Sequence, residues 1–180
     1  MNYNEIINYW YSDKISKQWY ASTPALDKEI KDKYEKLWLS ALKGELDNWQ
    51  STASGCLALV ILLDQLPLNM FRGEAKSFAS EQKSIDVALY AINNGFDKEI
   101  DTKKLSFLYI PFMHSENLEH QNLSVKLFTD NNLTNNIRFA KHHRDIIEKF
   151  GRFPHRNIIL GRDSTNLEIE YLNSKHAFKG

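Results

Sequence analysis

Residues 23–44, TPALDKEIKDKYEKLWLSALKG, decide the fold class. Leu26, Ile30, Tyr34, Leu37, Trp38 and Leu42 recur every three or four residues, which gathers them on one face of a helix. Thr23 can accept a bond from a first-turn amide, and Pro24 suits a first turn, where no amide partner is needed. Gly44 suits the residue that ends a helix. The same period runs outward in both directions. Upstream it predicts a helix over about residues 3–11 with Ile6, Ile7 and Trp10 inward, then a loop carrying Trp19 and Tyr20. Downstream, Ser51 or Thr52 caps a helix through Leu57, Val60, Ile61, Leu63 and Asp64. This helix is apolar on most sides and so belongs at the centre, and Pro67 should bend or loosen it near its end.

Ser80 opens a further helix through Ile85, Ala88, Leu89 and Ile92, stopped at Asn93-Asn94-Gly95. Asp101 or Thr102 caps one containing Leu105, Leu108, Tyr109 and Phe112, with a kink at Pro111. The run Leu105–Phe112 is short and aromatic enough for a strand, but no partner strand is apparent, so helix is preferred. Asn117 begins a helix with Leu118, Val125, Leu127 and Phe128, and a polar turn follows over Asp130–Asn136. A long helix runs from about Ile137 to Phe150, ended by Gly151, and Arg152-Phe153-Pro154 breaks the chain. Ile158–Leu160 is a short apolar piece reaching Gly161. Thr165-Asn166-Leu167-Glu168 is a capping box for a last helix to about Leu172, and residues 172–180 are expected to fray. About eight helices on short loops imply antiparallel helix pairs in one helical domain over residues 1–180. The period alone fits either a globular bundle or a solenoid of helix hairpins.

The chain has 180 residues, 42% hydrophobic and 26% charged, which is ordinary for a globular protein and unlike a disordered one. Its 23 basic and 23 acidic side chains balance, which speaks against a general nucleic-acid binder. The balance is uneven along the chain: residues 131–180 hold nine Lys or Arg against five Asp or Glu, and four of the six histidines. Such an end is compatible with an anionic ligand and equally with a solvated mixed surface. Cys56, the single cysteine, sits among Gly55, Leu57, Ala58 and Leu59 and reads as a small buried side chain. It allows neither an internal disulfide nor a zinc site with paired cysteines. The N-terminal residues lack the pattern of a secretory signal, and the longest apolar run, Cys56–Leu63, has eight residues against the roughly 20 needed to span a bilayer. The expectation is therefore a cytoplasmic protein with no membrane partner. No feature specifies an oligomeric state.

Four segments carry a resemblance. They are Leu62–Gly73 (LLDQLPLNMFRG), Tyr109–Glu116 (YIPFMHSE), His143–Ile147 (HRDII), and Gly151–Asn157 (GRFPHRN) with Leu160-Gly161-Arg162. Together with Tyr9-Trp10-Tyr11 they resemble the bacterial family known as domain of unknown function 924, over almost the whole chain and in the same order. The resemblance implies an all-α, tetratricopeptide-like right-handed array of helix pairs and implies no activity. One position departs from the family pattern, which usually has Arg where this chain has Leu68.

Several residues could carry chemistry, and each has a structural reading beside the functional one. Gln65, Asn69 and Arg72 share a helical face if the helix survives Pro67, with Asp64 beside them. They form either one wall of a polar pocket or a buried network fixing a helix end. His114 and Glu116 can bind a metal or exchange a proton, although Ser115 and Glu116 also suit the start of the next helix. His143 points inward beside Ala140, Ile147 and Phe150, while His142 points outward. Arg152, His155, Arg156, Asn157 and Arg162 lie within twelve residues and can grip a carboxylate or phosphate, or cap the preceding helix and pair with acids. The four tryptophans fall at helix faces and ends, as core residues do.

No zinc-protease helix, nucleotide-binding glycine loop, nucleophile elbow or calcium loop occurs, so no metal and no cofactor is expected. The leading reading is a binding or interaction protein with a polar cleft for a small anionic ligand or a peptide. Its ligand-binding residues would be Gln65, Asn69, Arg72, Arg152, His155, Arg156, Asn157 and Arg162. The alternative is a hydrolase-type enzyme using His114, Glu116, His143 and Asp64 as acid–base groups or metal ligands. A nucleic-acid module is the third reading, and the neutral charge disfavours it. The separated motifs are expected to meet, because isolated polar groups at apolar helix ends would each cost a few kcal/mol.

Overall fold

The computed structural model of the chain describes residues 2–180. Among them there is no strand, and eight helices run seven residues or more. The elements are α1 (Tyr3–Trp10), α2 (Asp13–Ser16), α3 (Pro24–Leu42), α4 (Ala53–Val60), α5 (Leu66–Met70), α6 (Glu81–Asn93), α7 (Thr102–His114), α8 (Leu118–Asp130), α9 (Thr134–Phe150) and α10 (Asn166–Leu172). The aromatic run Leu105–Phe112 is helical throughout, inside α7. Thr52, not Ser51, caps α4, its hydroxyl accepting from the Gly55 amide at 3.1 Å. Asp101 accepts from the Lys103 amide at the start of α7, at 2.9 Å. The chain folds as two compact units, the first holding residues up to Arg72 together with Lys76–Pro111, the second Gly73–Ala75 and Phe112–Gly180.

In the first unit α4 is central, with α1 and α6 against it and α5 packed on α3. Every side chain from Cys56 to Leu63 is buried. By length and composition residues 53–70 resemble a membrane span, but 78% of the stretch is buried inside the protein, as a core helix is. Pro67 acts as its ring and missing amide require. The turn before it, Ile61–Gln65, widens to a π-helix, and the Leu66 amide bonds the Ile61 carbonyl. Pro67 has no amide for the Leu63 carbonyl, which accepts instead from the Ser80 hydroxyl, itself a hydrogen-bond acceptor for the Trp38 indole at 2.8 Å. Ser80 stands at the start of α6 as predicted but does not cap it.

In the second unit α8 lies along α9, joined to it by the short turn Asn131–Leu133. Gly151, at φ 71°, closes α9 in the left-handed conformation that a glycine adopts without strain. Ile146, Ile147 and Phe153 then form an apolar cluster on which Phe150, Tyr171 and Phe178 pack. Phe178 lies in the stretch expected to fray. Its ring is instead held among aromatic neighbours, and its amide donates to the Tyr171 hydroxyl at 2.9 Å.

Candidate functional site

The first unit holds Asp64, Gln65, Asn69 and Arg72. Gln65 donates to the buried Asp64 carboxylate through its amide. Asn69 of α5 and Arg72, two residues beyond its end, converge on Asp27 of α3. The Asn69 amide donates to it at 2.8 Å, the Arg72 Nε at 2.7 Å, and the Ser22 hydroxyl at 2.6 Å. Burial works against the charge of Asp27, but the Arg72, Ser22 and Asn69 hydrogen bonds outweigh it and hold the carboxyl below its usual range. The sequence reading missed Asp27, which stands 42 residues before Asn69 and reads locally as a first-turn acid of α3.

The second unit brings together the remaining candidates. Glu116 follows α7 and takes two guanidinium N–H bonds from Arg162, at 2.6 and 2.9 Å, and the Phe153 amide at 2.7 Å. Burial opposes its charge, but the Arg162 bonds, the Phe153 amide and the nearby Arg156 charge hold its carboxyl below the usual range. Arg162 also bonds the Asn157 side-chain oxygen at 3.0 Å, and Asn157 donates to the Ser164 hydroxyl. Arg152 forks onto Glu168 of α10 at 2.7 and 2.9 Å and reaches the Asp163 carbonyl. Glu168 simultaneously closes the predicted capping box with Thr165, and the Arg152 bonds hold its carboxyl down to about 2. Arg156 is buried. It donates to the His114 carbonyl at 2.7 Å, and its guanidinium stacks on the Phe153 ring with 4.7 Å to the centroid. These guanidiniums, read as possible anion grips, thus spend donors on protein oxygens.

His143 is 4% exposed on the inward face of α9, as its spacing predicts. Its Nδ1 lies 2.8 Å from the Phe139 carbonyl oxygen, which only accepts, so Nδ1 carries the proton and Nε2 the lone pair. Burial pushes its pKa down to about 3 and keeps the ring neutral. Burial, with Arg156 beside it, pushes His155 down to about 4. The two imidazoles border the Phe178 ring at 4.4 and 4.9 Å between centroids, and Phe153 meets each of them at 5.5 Å. The sequence gives no local sign of this cage, because its parts come from α9, the turn after it and the last residues.

Cys56 is buried, and burial pushes its thiol up to about 11, consistent with an inert side chain. Among the described residues no three His, Cys, Asp or Glu side chains gather where they could hold a metal ion. An open depression of about 630 Å³ in the first unit is lined by Leu42, Asp47, Gln50, Lys83, Asp86 and Tyr90 and contains none of the sequence-derived candidates.

The pattern of the family described as bacterial protein of unknown function (DUF924) matches residues 6–176. The chain belongs to this family. A solved structure of a protein of unknown function from Agrobacterium tumefaciens is similar, with a TM-score of 0.88 and 34% identity over 95% of this chain and 96% of that one. No curated protein matches the chain. The DUF924 fold is thus all-helical here as in that relative, and the resemblance read from the five segments is correct. Two of those segments, Tyr109–Glu116 and Gly151–Arg162, supply both ends of the Glu116–Arg162 pair.

Proposed function

We propose that this DUF924 protein is a binding module for a peptide partner, with recognition centred on the second unit, and that it does not act as an acid–base catalyst. The observation that carries this reading is the state of the groups a catalyst would use. His143 and His155 are buried and neutral, with pKa values near 3 and 4, far from the near-neutral value that efficient proton transfer requires. Glu116 is clamped by Arg162 and the Phe153 amide. What supports binding instead is that Arg152 and Arg162, partly exposed, are held in place by Glu168 and Glu116, because preorganised arginine side chains are what peptide-binding surfaces use. A tetratricopeptide-like stacking of helix pairs belongs to this reading, and the α8–α9 pair supports it. A cytoplasmic location is part of it too.

The test is a random-peptide display selection against the protein, with the selected peptides mapped by NMR, alongside a panel of ester, amide and phosphate hydrolase substrates. Saturable binding with perturbations on α9 and residues 151–162 is expected, without turnover. Turnover that falls about a hundredfold or more in His143→Asn would defeat the reading in favour of the hydrolase alternative.

A further inference from the structure

Where Phe178 packs on the apolar cluster of the second unit, the rings around it form a slot. His143 from α9 and His155 from the turn after Pro154 form its walls, Phe153 closes it from behind, and His142 stands at its edge with 6.4 Å between centroids. The arrangements are tilted or edge-to-face, the geometry that aromatic rings prefer, and neutral imidazoles add no charge that would resist an apolar ring. Beside the slot the Tyr171 hydroxyl accepts the Phe178 backbone amide, so one hydrogen bond reads the main chain while the rings read the side chain. The segment that fills the slot is lightly anchored. Lys175, His176, Lys179 and Gly180 are exposed, Gly180 lies beside the His155 ring, and the Ala177 amide bonds locally to the Ser174 carbonyl at 3.3 Å. Half-buried Phe178 is thus seated as a peptide ligand is seated: one ring in an aromatic cage, one backbone bond, and solvated flanks.

We infer that the slot of His143, Phe153 and His155 is a recognition pocket for an aromatic side chain borne on a peptide, and that Phe178 is its built-in occupant, which a partner's ring must displace. This rests on the binding reading above and names the ligand class of that same surface. It also makes the last residues a gate: the free protein binds more weakly than the emptied slot would. The ratio is set by how often Phe178 leaves.

The experiment compares the unaltered protein with its Phe178→Ala variant. The probe is a synthetic peptide with the sequence of residues 173–180, NSKHAFKG, and a control peptide has Ala in place of its Phe. Calorimetry gives the affinity, and the His143 and His155 imidazole NMR signals give the site. Saturable binding to F178A is expected, at least tenfold tighter than to the unaltered protein, with both imidazole signals moving and no binding of the control peptide. Equal binding by the two proteins overturns the gate. No binding to a folded F178A overturns the slot itself, while peptides selected by display that map elsewhere on the second unit would leave the broader binding reading standing. If F178A loses its helical circular dichroism, Phe178→Leu takes its place, since it keeps apolar bulk without the ring. The peptide should then bind F178L more tightly than the unaltered protein, and failure to do so overturns the proposal.

Discussion

A serine before a run of helical residues reads as a cap, and Ser80 stands where a cap belongs, yet its hydroxyl crosses to the Leu63 carbonyl. The reason lies in Pro67, whose missing amide leaves that carbonyl without its helical partner. Ser80 is 1% exposed, so removing its hydroxyl takes away, in the interior, the acceptor of the Trp38 indole and the donor to the Leu63 carbonyl. Ser80→Ala should therefore lower stability by about 1–3 kcal/mol, a fall in melting temperature of about 2–4 °C for each kcal/mol. A change below half a degree in differential scanning calorimetry would show that water or a shifted helix replaces the hydroxyl. Gly55 makes a second test of close packing. A Cβ there would lie 2.0 Å from the Trp49 carbonyl oxygen, which is backbone and cannot swing aside. Gly55→Ala, although it raises helix propensity, should destabilise by about 1–3 kcal/mol through overpacking, read as a lower urea midpoint. A gain in stability would mean that the turn before α4 yields freely.

Elements were legible where their signals are local. The period placed α1, α3, α4, α6, α8 and α9, and caps at Thr23, Thr52, Asn117 and Thr165 sit where their residue types suggest. The π-turn before Pro67 was foreseen only as a loosening, because proline announces the missing bond but not which group will replace it. α10 shows the same limit. Its capping box was visible as Thr165 and Glu168, but the second use of Glu168, as the partner of Arg152, needs the chain to fold back from α9. Glu168 is 2% exposed and Arg152 28% exposed, so this pair is shielded on one side and reaches solvent on the other. Glu168→Gln keeps an oxygen for the cap and removes the charge. It should weaken the protein by about 1–3 kcal/mol, less than a fully buried pair would show. In a double-mutant cycle with Arg152→Met the two losses should overlap, with a coupling above about 0.5 kcal/mol. Strict additivity would reduce Glu168 to a cap alone.

At the scale of the whole molecule, helix content was readable because the 3.6-residue period is repeated in every segment, whereas the site was readable only as a set of residue types. The sequence shows that Arg152, Arg156 and Arg162 are basic; which oxygen each one meets depends on contacts up to 46 residues apart. Burial of the histidines was likewise half legible: the inward face of α9 predicted His143, while His155, on an irregular turn, had no period to read. Their burial has a consequence for the entire chain. An unfolded histidine titrates near pH 6.5, whereas His143 and His155 in the folded protein titrate near 3 and 4. Above about pH 6.5 both states are neutral at these sites, and their contribution to stability is fully present. As pH falls below that value the unfolded chain takes up protons that the folded chain does not, so stability declines until the folded values are reached. The slope approaches about 1.4 kcal/mol per pH unit for each histidine. The paired carboxylates act lower. Glu168 titrates near 2 in the fold, and Glu116 and Asp27 are also held below their usual range, so their contribution is present above about pH 4.3 and is lost as pH falls below it. Urea midpoints should thus begin to fall near pH 6.5, about two units above the onset expected from carboxylates alone. His143→Asn isolates the cause, since its amide can donate to the Phe139 carbonyl as Nδ1 does but does not titrate. That variant starts less stable because it is smaller, but its midpoint should fall less steeply between pH 6.5 and 4. A flat midpoint for the unaltered protein across that window, or an unchanged slope in the variant, would show that His143 is not held neutral inside the second unit.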